Sequence, residues 1–200
     1  MEIYINYNKI EDVILEDEKT IGQLLDALET EAGKNEATTV GIKFNGRQIS
    51  AEEIDSIRSE EIKTDTKLEL TSVSANEIDE ALRNIVYTLD VNSKNLKELS
   101  VLIQTSKNKE ADKIISSFAD CIDYFCHLVT LTSLFPEHFE SFKIEDKNIG
   151  EFFEEFSSLI KDFADSYENK DFVTTGDLSE YEISPRLDTL SKSIKEFYGE

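Results

Sequence analysis

The residues best suited to chemistry lie close together, at Asp120, Cys121, Asp123, Cys126 and His127. Asp123 and His127 are four residues apart, so on a helix they share one face, with Cys126 beside them as a third donor. That makes Asp123, Cys126 and His127 the candidate metal ligands. The pattern is incomplete, however. Dinuclear carboxylate bundles use a Glu-x-x-His motif on each of two helices, and zinc sites commonly bring close Cys-x-x-Cys pairs. Neither motif occurs in this sequence. The competing reading makes Cys121 and Cys126 small apolar side chains and His127 a helix-boundary residue. The two cysteines, five apart on one helix, point to different faces and do not suit a disulfide. His138 and His127 stand in no nucleophile context, and the seven glycines form no phosphate loop. Adjacent acids such as Glu52-Glu53, Glu60-Glu61 and Glu154-Glu155 read as solvated faces. The sequence therefore calls for no cofactor and carries no catalytic signature.

Charge narrows the partners. The chain has 43 acids, 21 bases and a net charge of −22 over 200 residues. Both halves contribute, with −9 up to Ser74 and −13 beyond it, so no acidic tail accounts for the total. Such a field repels nucleic-acid phosphates and anionic membranes and attracts a basic partner. A hydrophobic content of 39% is enough for a packed core. No run of about 18 uninterrupted apolar residues is present, so no spanning helix is expected. The opening Met1-Glu2-Ile3-Tyr4-Ile5-Asn6 does not read as a signal peptide. A reducing cytoplasm is the expected location.

These side chains need a scaffold, and two scaffolds are legible. Ile3 and Ile5 alternate with Tyr4 and Asn6, the period of a half-buried strand. Asn8-Lys9 reads as a turn, and Ile10 to Glu16, with Val13 and Leu15 inward, as the returning strand. Thr20 caps a helix carrying Ile21, Leu24, Leu25 and Leu28, which Gly33 can end. Val40, Ile42 and Phe44 alternate, Asn45-Gly46 makes a hairpin turn, and Arg47-Gln48-Ile49 returns. A short helical connection over 51–62 leads to a last strand, Lys67 to Thr71.

Met1-x-Ile3-x-Ile5, Thr20-Ile21-x-x-Leu24-x-x-x-Leu28, Ile42 to Ile49 and Thr66 to Leu70 together resemble ubiquitin in order and spacing. The resemblance covers residues 1–72 and implies a ubiquitin-like β-grasp fold. It departs where function would show. Leu70-Thr71-Ser72-Val73-Ser74 carries no diglycine, so a conjugated modifier or sulfur carrier is not implied. Lys43 stands where the family's recognition patch has an apolar residue.

Ser74-Ala75-Asn76-Glu77 fits a capping box and places the domain join, giving domains 1–73 and 74–200. Ile78, Leu82, Ile85, Leu89, Leu96, Leu99 and Ile103 then follow a heptad rhythm, with Asn92 in the seam. Either one helix of about 30 residues results, or the helix breaks at Asn92-Ser93-Lys94-Asn95. A second helix spans 109–135, with a wide apolar face ending at Phe135-Pro136. A third starts at Asn148 and carries Phe152, Phe153, Phe156, Leu159, Ile160, Phe163 and Tyr167. Those aromatics read mainly as core, with a ligand cleft as the alternative. Residues 169–183 read as a loop, and Ser184-Pro185 opens a last helix with Leu187, Leu190, Ile194 and Phe197.

The expected fold is α+β, a ubiquitin-like β-grasp followed by an antiparallel bundle of about four helices. The expected function is a non-enzymatic protein–protein interaction or adaptor protein with an acidic surface. The alternatives are a small-ligand or metal-binding bundle and an acidic inhibitor mimicking nucleic acid. A homodimer through the first long helix is the other assembly the heptads allow.

Overall fold

The computed structural model describes residues 1–11 and 18–199. It is α+β, with a five-stranded mixed sheet and then a mainly helical region. The chain divides into two compact units, Met1–Glu77 and Ile78–Glu200.

In the first unit, β1 (Glu2–Ile5), β2 (Asn8–Lys9), β3 (Ala37–Phe44), β4 (Arg47–Ile49) and β5 (Lys67–Ser74) form a sheet in the order β2-β1-β5-β3-β4. The central β1–β5 pair is parallel and the other pairs are antiparallel. α1 (Ile21–Gly33) supplies Ile21, Leu24 and Leu25 to a core that also holds Ile3, Ile42, Phe44, Leu68 and Leu70. Its start is fixed locally, because Thr20 and Gln23 form a reciprocal capping box. α2 (Ile54–Arg58) adds Ile57 to the same core.

Two readings of this unit change. The first hairpin turns at Asn6-Tyr7, whose φ values of 48° and 67° are left-handed, and Asn8-Lys9 is strand. Positive φ at both central residues suits the right-handed twist of a two-residue hairpin. The Asn6 side chain holds the turn by donating to Ser72 O and accepting from Ser72 N, at 2.9 and 2.8 Å. Val13 and Leu15 of the expected second strand lie outside the described residues. Val40 faces outward although it alternates with Ile42 and Phe44, because β3 shifts register against β5 between Thr39 and Gly41. A bulge of one residue reverses which face a side chain meets.

α3 (Ala75–Gln104), all but its first three residues in the second unit, is one helix of 30 residues, so the break at Asn92 does not occur. All seven heptad positions from Ile78 to Ile103 are buried. The Ser74 capping box forms, with Glu77 accepting from both the Ser74 backbone and its hydroxyl. α4 (Asn108–Thr132) ends three residues earlier than expected, and Pro136 starts the short α5 (Pro136–Phe139). α4 is the one helix among the described residues that is long and apolar enough to cross a membrane by length and composition. A two-strand hairpin, β6 (Lys143–Ile144) and β7 (Lys147–Asn148), leads into α6 (Ile149–Glu168). There Asn148 and Glu151 make the cap that the sequence indicates.

Most of the expected loop at 169–183 is helical instead, from Phe172 onward. α7 (Phe172–Asp177) is followed by a π-helical segment, Leu178–Ile183, and then by α8 (Ser184–Phe197). Asp171 caps α7 through Thr174. Gly176, which reads as a loop signal, is buried against Ser100, where an added Cβ would sit 2.9 Å from the serine Cβ. The glycine serves close approach of two helices rather than a turn. Ser184 does not cap α8, because the helix runs in from the π segment and the Ser184 N–H bonds back to Ser179 O. Pro185 has no N–H to donate, and the wider i to i−5 bonding precedes it.

Candidate functional site

The helical unit is held in register by a polar seam between α3 and α8. Ser184 Oγ donates to Ser93 O at 2.9 Å, and Ser93 Oγ donates to Asp188. Lys97 reaches Asp188, and Lys195 reaches Asp90, each at 2.9 Å. Ser191 also donates to Asp90. Burial alone would raise the Asp90 carboxyl pKa, but the bonds from Ser191 and Lys195 outweigh it and hold the group below its ordinary value. At one end of the seam, Asp79 accepts from Tyr198 at 2.6 Å and meets His138 Nε2 at 2.9 Å, and Arg83 stacks over the Tyr198 ring. Burial, then the bond to Asp79, pushes the Tyr198 phenol well above its ordinary range. Asp79 of α3 is thus tied to α5 through His138 and to the end of α8 through Tyr198. Partner numbers that fall along α8 as they rise along α3 make the two helices antiparallel.

α4 and α6 are antiparallel as well. Phe118 and Phe163 meet edge to face at 5.8 Å, and Tyr167 donates to Asp112 near the start of α4. Between them runs a groove of about 430 Å³. Ile115, Ile122, Ile160 and Phe163 line it, with Ala119 and Ala164 facing in from opposite helices. Both alanines are exposed, and their short side chains leave the space that a larger residue would fill. Asp123 and Cys126 line the groove toward one end, and Tyr167 and Glu168 toward the other. The site is therefore apolar with carboxylates at its margin, where it can hold apolar groups and attract cations. The bond to Asp112, then burial, raises the Tyr167 phenol and keeps it a neutral donor.

The residues singled out in the sequence separate here. Asp123 and Cys126 enter the α4–α6 groove, whereas Asp120 and Cys121 line a second, more polar groove between α3 and α4. His127 is exposed and lines neither. Among the described residues, no three His, Cys, Asp or Glu side chains gather as a metal set. Burial pushes the Cys121 thiol up to about 11. Cys126 is also raised, by burial and then by the Asp123 charge, so neither thiol is activated as a nucleophile. Both are free. Of the third-helix aromatics, Phe152 and Phe156 are core, and Phe163 is both core and groove wall. Ala119 and Ala164 escaped the sequence reading. An alanine on a helix carries no signal of its own, and only the facing helix gives it meaning.

The fold and site define a two-part chain, a mixed-sheet unit followed by a helical unit with an open apolar groove. Residues 80–193 match the family model described as Domain of unknown function (DUF8042), and residues 1–74 match the TP0873 N-terminal domain. The chain belongs to the DUF8042 family. An uncharacterized protein of Treponema pallidum (strain Nichols) is 32% identical over 194 residues, covering 97% of this chain and 96% of that protein. No solved structure matches significantly.

Proposed function

We propose that this chain is a non-enzymatic protein-interaction module, acting in a reducing cytoplasm, whose helical unit docks a basic partner at the α4–α6 groove. The observation that carries the reading is the groove itself, an open, mainly apolar cleft of about 430 Å³ with Asp123 and Glu168 at its margin. A concave, mainly apolar lining with a few polar groups at its rim is the make-up of a binding site. The chain's net charge of −22 favours fast encounter with a basic partner. The N-terminal unit is read as a ubiquitin-like β-grasp. Its support is the order β2-β1-β5-β3-β4, the parallel central pair and one helix packed across the sheet. The free cysteines agree with a reducing compartment.

The test is capture from native lysate with the full chain and with Ala119→Gln/Ala164→Gln, which fills the groove without changing charge. A specific partner should be retained by the unaltered chain and lost by the double variant at equal helicity. Equal capture by both would end the groove reading. A second reading is a small apolar cation in the same groove, favoured by a volume within the range of small-molecule sites. Native mass spectrometry of freshly purified protein would show it as a bound mass that the double variant lacks.

A further inference from the structure

The groove's walls say what shape of partner it takes. The α4 wall runs from Ile115 to Cys126, roughly 16 Å at 1.5 Å per residue, and the α6 wall from Ile160 to Glu168, roughly 12 Å. That length matches two to three turns of a helix laid along it. Both walls are continuous helices whose backbone groups are bonded within their own ladders. The groove thus offers no open strand edge, so an extended peptide cannot gain main-chain hydrogen bonds here. A helix laid in it needs none, because its own backbone is already satisfied. Antiparallel pairing of α4 and α6 puts the charges at opposite ends. Glu168 lies at the end where Tyr167 meets Asp112, and Asp123 lies toward the Cys126 end.

Resting on the interaction reading above, we propose that the occupant is an amphipathic helix of a partner protein. It carries apolar side chains at i, i+4 and i+7 and lysine or arginine at both ends of that stripe. The apolar stripe fills the space over Ala119 and Ala164, and the terminal cations meet Asp123 and Glu168. A second copy of this chain is a poor occupant, since both surfaces would bring the same strongly negative field.

The experiment uses full-length protein and three fluorescein-labelled synthetic peptides in an anisotropy titration. One has a leucine stripe at i, i+4, i+7 and i+11 flanked by lysines. The second has glutamates in place of the lysines. The third has the first peptide's composition scrambled around a central proline. The lysine-flanked helix should bind at least ten-fold tighter than the other two. Ala119→Gln/Ala164→Gln should weaken it at least ten-fold. Asp123→Lys/Glu168→Lys should weaken it several-fold and flatten its salt dependence. Equal binding of the scrambled peptide, or no effect of the alanine variant, overturns the proposal as mere charge attraction. If the peptides fail while a lysate partner still depends on the two alanines, the groove remains an interaction site and only the helical occupant falls. A concentration-dependent dimer abolished by the double variant in sedimentation would identify a second copy and also overturn the proposal.

Discussion

Replacing Asn92 by leucine should stabilise the helical unit. Asn92 is fully buried on α3, between Leu89 and Leu96. Its Nδ2 donates to Thr88 O at 3.0 Å, but its Oδ1 has no hydrogen-bond partner among the described residues. A buried acceptor left unmade costs about 1–3 kcal/mol, and the bond from Nδ2 returns about 1 kcal/mol. Leucine removes both terms. It branches at the same carbon as asparagine and is the better helix former by about half a kcal/mol. Fit in the packed seam takes some of this back. The net expectation is a gain of about 1–2 kcal/mol. For a chain of this size that raises Tm by roughly 2–8 °C. Thermal melts of full-length protein followed at 222 nm would measure it, because most helix lies in this unit. A loss of 1 kcal/mol or more would refute the reasoning. It would mean that the oxygen has a bonded partner, or that Asn92 is needed to fix helix register as seam asparagines do elsewhere.

Gly176→Ala should cost about 1–3 kcal/mol by overpacking, because the new Cβ would meet Ser100 Cβ at 2.9 Å. Ser100→Gly in the same chain should recover most of that loss, and a denaturant double-mutant cycle would show the coupling. Cys126 is half-buried and Cys121 is buried with its thiol pushed up to about 11. At pH 7.5 a maleimide should therefore modify Cys126 at least ten-fold faster, as read by peptide mapping, and should block the groove when it does. Asp90 has a depressed folded-state pKa, so its favourable contribution is complete above the unfolded value near 3.9 and is lost as pH falls through the lower folded value. Asp90→Asn should accordingly narrow its stability deficit as pH drops below about 4, and urea melts at pH 7 and pH 3 would test the sign.

What the sequence determined by itself was local. Capping boxes at Thr20, Ser74 and Asn148 are settled within four residues, so their starts were readable and occur as read. The heptad stripe from Ile78 to Ile103 was readable for the same reason, since helical periodicity states which side chains share a face. Tertiary structure decided what depends on a distant partner. Gly176 looks like a loop residue until Ser100 is placed against it, and then the stretch is helix. Val40 keeps strand alternation in the sequence, yet a register shift against β5 turns it outward. The site divides in the same way. Periodicity put Asp123 and His127 on one face of α4, but only the arrival of α6 draws Asp123 and Cys126 into a groove and leaves His127 in solvent. Ala119 and Ala164 shape that groove by what they lack, and an absence of side chain becomes a surface only when two helices from distant parts of the chain stand side by side.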